Sequence, residues 1–427
     1  MAGRRTVADR LAAALGAVLG TTELPVRLRG WDGSIAGPPG APVVAVHSPR
    51  ALRRMVWSPG QLGIGRAYVA GEIDMEDDVF ATFTALRSGS GRLVQETPAT
   101  APSWRERLAL VGTALRLGAI GPEPAPPAEE ADLGRGRRHS RARDAAAISH
   151  HYDVSNDFYE LVLGPSMVYS CAVWASPETG LDAAQEAKLD LVCRKLGLAP
   201  GSRLLDVGCG WGSMAIHAAQ RYGATVVGIT LSEEQARMAR KRVAEAGLTD
   251  KVDIRVQDYR VVEDEPFDAV SSIGMAEHVG RAQMPGYVAQ LNRLLRPGGR
   301  LLNHAISWNA GRSTWNPDTF IARYVFPDGE LLGLGETVSL LESRELEVLD
   351  VEALRRHYAL TLRAWVQRLE ENWDAAVAAT SGGRARVWRL YMAASALTFE
   401  AGDMGVNQVL LQKTGGEQPP LRRTAWM

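Results

Sequence analysis

The sequence predicts an α/β fold: a doubly wound, mainly parallel sheet preceded by a smaller α+β domain. Three observations predict it. From about Ile148, strand-like apolar runs alternate with helical ones, and alternation of this kind implies a parallel sheet covered on both faces. One strand-to-helix junction carries clustered glycines, Gly208, Gly210 and Gly212. A chain of 427 residues also exceeds one ordinary core, so two domains are expected.

The elements follow in order. Leu204–Val207 reads as a strand, followed by the glycine turn and a helix over 212–221. Thr225–Ile229 is a second strand with a helix over 233–246, Val252–Val256 a third and Asp268–Ile273 a fourth. A helix over 282–295 leads through Pro297-Gly298-Gly299 to a fifth strand, Arg300–Ile306. Beyond Ser307 the pattern is helical over 336–344, 353–377 and 384–400, with a last strand-like run from Gln408 to Gln412. Before this region, residues 23–95 alternate short apolar runs with Gly/Pro turns. Val43–Val46 reads as a strand, and Ser48 is placed to cap a helix through Arg50–Met55. An apolar helix over 104–118 closes the small domain. The expected organisation is a small domain over 1–120, a linker over 121–147 and the sheet domain over 148–427.

The linker is segregated by charge. Prolines and acidic residues fill 121–134, and then Arg135, Arg137, Arg138, Arg141 and Arg143 fall within nine positions. Such sequence suits a solvated linker; a patch for anionic lipid headgroups is the sharper reading. With 46% hydrophobic and 23% charged residues and a net charge of −1, there is no global attraction to nucleic acid or membrane. No apolar run has the length of a membrane span. Asp9 and Arg10 interrupt the opening apolar stretch, which makes it an amphipathic helix rather than a signal peptide and a cytoplasmic location the expectation. Cys171, Cys193 and Cys209 lack disulfide or zinc spacing. Glu277 and His278 are adjacent and point apart, so no metal site is expected.

The chemistry concentrates in Leu205-Asp206-Val207-Gly208-Cys209-Gly210-Trp211-Gly212. Glycines let the backbone approach a ligand at the carboxyl end of a strand. The third glycine comes too early for a phosphate-binding Gly-x-Gly-x-x-Gly turn. The pattern Asp-x-Gly-x-Gly-x-Gly instead resembles that of methyltransferases built on a doubly wound sheet. The second strand ends without the usual acidic residue, in Gly228-Ile229-Thr230-Leu231-Ser232 followed by Gln235. Ribose recognition then falls to Thr230 and Gln235, and Asp258-Tyr259 is placed to bond and stack on adenine.

Further segments carry a more specific resemblance. His151-Tyr152-Asp153-Val154-Ser155-Asn156-Asp157-Phe158-Tyr159, Tyr169-Ser170-Cys171-Ala172, Gly274-Met275-Ala276-Glu277-His278-Val279-Gly280, His304-Ala305-Ile306 and Tyr324-Val325-Phe326-Pro327-Asp328-Gly329 occur in this order. With the glycine turn they resemble the cyclopropane-fatty-acid synthase family over roughly 148–413. The resemblance implies a seven-stranded, Rossmann-like S-adenosylmethionine methyltransferase domain. It assigns Tyr169, Ser170, Asp206, Gly208, Gly210, Thr230, Gln235, Asp258 and Tyr259 to the cofactor. It assigns Cys171, Glu277, His304, Ile306 and Tyr358 to a pocket holding a bicarbonate ion beside the substrate, Tyr358 through the looser match at His357-Tyr358-Ala359-Leu360-Thr361. Leu62–Asp74 is similar to part of the lipid-associated domain of the phospholipid-modifying members. The mycolic-acid branch lacks a domain of that kind, which favours a phospholipid acyl chain as substrate and a peripheral position on the inner membrane face; the family resemblance implies a homodimer. Where the family often has Phe before the glutamate, this chain has Ala276, a smaller side chain that leaves the product open between a cyclopropane and a methylene branch; overall the chain resembles more closely the actinobacterial members that form a methylene precursor of tuberculostearic-type acids.

An isolated alkene is a weak nucleophile, so the methyl donor must be aligned against it in a site closed to water. The carbocation that follows calls for aromatic faces and negative charge. Tyr152, Phe158, Tyr159, Tyr169, Trp174 and Phe326 are the candidates, with core packing the competing account for most of them. A base then removes a proton, giving a cyclopropane directly or a methylene group after a hydride shift; bicarbonate held by Glu277, His304 and Tyr358 suits that task. The competing functions are methylation of a soluble small molecule and non-catalytic lipid binding; the intact glycines and Glu277 argue against the second.

Overall fold

The computed structural model describes residues 5–19, 21, 23–90, 104–131, 138–140, 143–144, 155–309, 316 and 318–426. Tyr152, Arg135, Arg137 and Arg141 lie outside the described residues. The chain divides into two compact units. The first draws on Met1–Leu133, Asn316–Val325 and Ser381–Leu397, the second on Gly134–Trp315, Phe326–Thr380 and Thr398–Met427.

In the first unit, β1 (Arg27–Arg29), β2 (Ile35–Ala36), β3 (Val43–Val46) and β4 (Ile73–Met75) form a sheet in the order β2-β1-β3-β4. Helices Val7–Leu19, Pro49–Trp57, Gln61–Val69, Val79–Ser90 and Trp104–Arg116 belong with it. Ser48 caps the second of these by accepting from Arg50 N at 3.2 Å. Val26, Leu28, Val46, Leu52, Ala67 and Ile73 make the core. Gly65 has no side chain where the Phe320 ring packs; a Cβ there would stand 2.4 Å from Phe320 Cδ2. The acidic stretch after residue 121 is tied down by its charges. Glu130 accepts from Arg66 Nε at 2.7 Å and Nη2 at 2.6 Å and from the Tyr324 hydroxyl at 3.0 Å, while Arg54 Nη1 donates to Ala125 O at 2.8 Å. A buried carboxylate paired in this way keeps its charge at tolerable cost.

The second unit is built on one sheet. Its strands are β5 (Arg203–Val207), β6 (Thr225–Thr230), β7 (Val252–Val256), β8 (Phe267–Ile273), β9 (Leu295–Trp308), β10 (Leu332–Gly333), β11 (Leu346–Ala353) and β12 (Met404–Lys413). Seven of them run in the order β11-β12-β9-β8-β5-β6-β7, and the short β10 pairs with the end of β9. β5, β6, β7, β8 and β9 are mutually parallel, and β12 runs antiparallel to β9 and β11.

Strand periodicity explains the double winding. Leu204, Val226, Ala269, Leu302 and Leu410 enter one buried cluster. Their chain neighbours Leu205, Val227, Val270, Leu301 and Val409 enter another. Successive residues of a strand point to opposite faces, so each apolar pair fills both cores at once. Truncating one such leucine to alanine costs roughly 2–5 kcal/mol.

The structure corrects the helix expected over 353–377. Residues Leu346–Ala353 form the edge strand β11, and helices Arg355–Glu371 and Trp373–Ala379 follow with a break at Asn372. The strand carries Glu347, Asp350 and Glu352, which disguise it. Lys195 on helix Leu181–Leu196 meets Asp350 at 3.3 Å and Glu352 at 2.6 Å. Among the described residues no helix is long and apolar enough to cross a membrane.

Candidate active site

The site forms at the carboxyl ends of β5 to β8. β5 delivers Asp206 and then turns through Gly208, Gly210 and Gly212, with φ of 77°, 54° and 81°. Side chains resist that region and glycine does not. The Gly208 and Cys209 amides both donate to Ile229 O at 2.9 Å, which holds the turn against the end of β6. There Ser232 Oγ accepts from Gln235 N at 3.1 Å and caps helix Glu233–Glu245. The Thr230 hydroxyl donates to Gln235 Oε1 at 2.9 Å. Gln235 Nε2 therefore faces the glycine turn, 3.9 Å from where a Cβ on Gly210 would lie.

After β7, Asp258 is oriented by Arg260. The arginine donates to Oδ1 from its backbone N and Nε at 2.9 Å each, and to Oδ2 from Nη2 at 2.6 Å. The same Nη2 reaches Asp144 Oδ2 at 3.0 Å. Tyr259 packs edge-on against Tyr287 with ring centres 5.3 Å apart.

These parts enclose a cleft with about 1140 Å3 of empty space, its open mouth included. Tyr169, Ser170, Asp206, Gly208, Gly210, Thr230, Gln235, Asp258 and Tyr259 all line it. Cys171, Glu277, His304, Ile306 and Tyr358 are not on its walls. Several lie one step along the same elements. Cys171 follows Ser170, Glu277 lies two residues beyond the lining residue Met275, and His304 and Ile306 stand on β9 beside β8.

The second group has a distinct electrostatic character. Glu277 Oε1 accepts from Ile306 N at 2.7 Å, while Oε2 is buried with no hydrogen-bond partner among the described residues. Burial pushes this carboxyl up to about 7, against the pull of the Ile306 amide. The Gln408 amide lies 3.2 Å from His304 Nδ1. If that amide donates, the ring proton sits on His304 Nε2, which is buried without a hydrogen-bond partner. Burial lowers His304 to about 3, so the imidazole is neutral at ordinary pH. Burial holds the Cys171 thiol well above its usual range, and it donates to Ala172 O at 3.2 Å.

Aromatic rings connect the two groups. Tyr159 stands 4.6 Å from Trp211 and 5.9 Å from Tyr169, and Tyr169 stands 5.3 Å from Trp365. Trp365 is 6.1 Å from Tyr358, whose other neighbour is Phe399 at 4.8 Å. Trp174 is tied into the framework, its indole N–H donating to Thr361 Oγ1 at 3.0 Å. Phe158 is fully buried, and Phe326 packs against His278 with ring centres 5.7 Å apart.

Sequence reasoning missed Lys188, His278 and Trp365. Lys188 and His278 line the cleft, and burial lowers them to about 8 and about 4. It also missed the partner of two linker arginines. Arg143 grips Asp328 with Nε and Nη2, the latter at 2.9 Å from Oδ1, and Arg138 Nε lies 3.4 Å from the same Oδ1. Asp328 is buried, in the Phe326-Pro327-Asp328-Gly329 segment. These two arginines are therefore engaged with the protein rather than displayed as a headgroup patch.

Comparison with known proteins agrees with this geometry. The model of the mycolic acid cyclopropane synthetase family matches residues 139–409. A probable fatty acid methyltransferase of Mycobacterium tuberculosis is 44% identical over 94% of this chain and 95% of its own length. A tuberculostearic acid methyltransferase of the same organism is 35% identical over 92% and 89%. The crystal structure of a mycolic acid cyclopropane synthase complexed with SAH and CTAB superposes with a TM-score of 0.59, at 34% identity, over 63% of this chain and 98% of that one. The chain thus belongs to the mycolic acid cyclopropane synthetase family and is an S-adenosylmethionine-dependent methyltransferase.

Proposed function

We propose that this enzyme methylates a carbon of the double bond in an unsaturated acyl chain of a membrane phospholipid, forming a methylene-branched (10-methylene) product as the precursor of a tuberculostearic-type acid. A cyclopropane is the alternative product. The observation that carries the reading is the pairing of two environments. One step along the elements that line the cleft, Glu277 Oε2 and His304 Nε2 are buried and, among the described residues, without hydrogen-bond partners. Likeness to a probable fatty acid methyltransferase and to a tuberculostearic acid methyltransferase supports a fatty acyl substrate and a tuberculostearic-type outcome.

The residues present fit both small molecules. Asp206 Oδ2 is a buried carboxylate oxygen with no hydrogen-bond partner on the cleft wall, suited to the ammonium of the cofactor's amino-acid end. When bound, S-adenosylmethionine supplies an electrophilic methyl group. Tyr169, Ser170, Gly208, Gly210, Thr230, Gln235, Asp258 and Tyr259 would hold it. Cys171, Glu277, His304, Ile306 and Tyr358 would hold a bicarbonate ion, whose chemistry is that of a compact base. A carboxyl near 7 exists partly as the neutral acid, so Glu277 can donate a hydrogen bond to an anion that a fixed carboxylate would repel. His304, neutral with its proton on Nε2, is a second donor. The rings of Tyr169, Trp365 and Tyr358 present π faces to a developing carbocation and exclude water. Ala276 belongs to the buried cluster against which Met275 packs, and it fills less of that cluster next to Glu277 than a Phe would.

Peripheral contact with the bilayer and a homodimer complete the proposal. In the first unit, Trp104, Leu108, Val111 and Leu115 are exposed on helix Trp104–Arg116 at the spacing of a single face, the pattern of an interfacial helix. The test is transfer of label from methyl-labelled S-adenosylmethionine to vesicles. Oleoyl phospholipid should take up label and a fully saturated phospholipid should not. Equal labelling of both, or labelling of soluble acceptors alone, contradicts the proposal.

A further inference from the structure

Lys188 takes no part in the chemistry described above, yet it occupies an unusual position. It lies on helix Leu181–Leu196, is 1% exposed, and lines the cofactor cleft. An ammonium group is rarely so buried unless paired. Among the described residues, its one hydrogen bond to a side chain runs to Ser170 Oγ at 3.1 Å, although the group has three protons to donate. The nearest opposite charge acting on it is Asp206.

On the cofactor assignment above, the order of the strands gives the part of the cofactor that would meet this corner. β7 brings Asp258 and Tyr259 to the adenine end, and β6 brings Thr230 and Gln235 to the ribose. β5 and the segment before helix Leu181–Leu196 bring Asp206 and Ser170 to the remaining amino-acid end. That end carries one ammonium and one carboxylate. Asp206 offers a negative partner for the first, and the cleft wall needs a positive partner for the second. Because Lys188 donates to Ser170 Oγ, the Ser170 proton is free to point into the cleft. Gln185 fixes the backbone there, its Nε2 donating to Ser170 O at 3.0 Å.

We infer that Lys188, with the Ser170 hydroxyl it orients, recognises the α-carboxylate of S-adenosylmethionine. The inference rests on the cofactor assignment above. Its consequence is selectivity for the intact amino-acid end of the cofactor rather than for adenosine alone.

Calorimetric binding of S-adenosylmethionine and of its decarboxylated analogue separates this role from a structural one. For Lys188→Met, affinity for S-adenosylmethionine should fall roughly 10- to 100-fold, the range of a lost charge-assisted hydrogen bond, while affinity for the analogue changes by less than about threefold. Ser170→Ala should lower the same preference by about 3- to 10-fold, and it decides the matter should Lys188→Met fail to fold. An equal loss for both ligands, or an unchanged preference in either folded variant, overturns the inference. Failure of the wild-type enzyme to bind S-adenosylmethionine would instead remove the cofactor assignment itself.

Discussion

The cleft at the ends of β5 to β7 and the residues proposed to hold a bicarbonate ion draw on neighbouring elements but are prepared differently. At the β6 and β7 end of the cleft, polar groups bond to one another, whereas Asp206 Oδ2 at the β5 end is left unpaired among the described residues. Thr230 is bonded to Gln235, Asp258 is clamped by Arg260, and the glycine-turn amides are bonded to Ile229. Glu277 Oε2 and His304 Nε2 are buried and, among the described residues, without hydrogen-bond partners, and burial pushes both groups toward their neutral forms. A buried polar group left unpaired costs about 1–3 kcal/mol, and on the proposed function a bound anion would complete these two.

Breaking the pocket should have the largest effect. Glu277→Gln keeps the acceptor for Ile306 N but cannot exchange a proton. Turnover should fall by roughly 100-fold or more, with S-adenosylmethionine binding by calorimetry unchanged; a parallel loss of binding would merge the two regions into one. The cleft should respond in the other sense. Gln235→Ala frees the Thr230 hydroxyl and should weaken cofactor binding by about 10-fold, with kcat at saturation altered less than threefold.

The same glutamate gives a test in stability. Its pKa is raised in the folded protein, so the native state holds a proton between about 4.5 and about 7 that the unfolded chain has released. Native stability therefore declines as pH rises through that window, and the full penalty stands above it. Glu277→Gln removes the term. Relative to the wild type, the variant should gain roughly 2–3 kcal/mol between pH 4.5 and 8, read as the difference between their denaturation midpoints. A constant difference across pH would place the charged form of Glu277 in a satisfied site.

Smaller effects are expected away from the site. Arg143→Ser removes a partner of buried Asp328 and should lower Tm by a few degrees, with vesicle binding unchanged. Replacing Leu108 and Leu115 by Ser should do the reverse, weakening sedimentation with oleoyl phospholipid vesicles by a few-fold at unchanged Tm. If Arg143 controls vesicle binding instead, the headgroup-patch reading of the linker returns.

What the sequence made legible was whatever is contiguous. The glycine turn, Thr230 to Gln235 and Asp258-Tyr259 each lie on one strand end, so spacing alone brings them to one cleft. Lys188 escaped notice because it sits in the middle of a helix, 18 residues from both Ser170 and Asp206, and only the packing of that helix on the sheet aims it at them. The edge strand β11 was hidden because two of its acidic residues, Asp350 and Glu352, are paired with Lys195, which is remote in sequence. Arg138 and Arg143 looked like solvated linker because their partner, Asp328, lies 190 and 185 residues away.

The most direct measurement is the structure of the product. Oleoyl phospholipid vesicles are incubated with the enzyme and S-adenosylmethionine, and the released fatty acids are examined by mass spectrometry and proton NMR. The expected product is an acid heavier by one CH2 that shows vinylidene protons. Upfield ring protons at the same mass would replace the methylene product by the cyclopropane. An unchanged acid, with cofactor bound and consumed on soluble acceptors, would contradict acyl-chain methylation altogether.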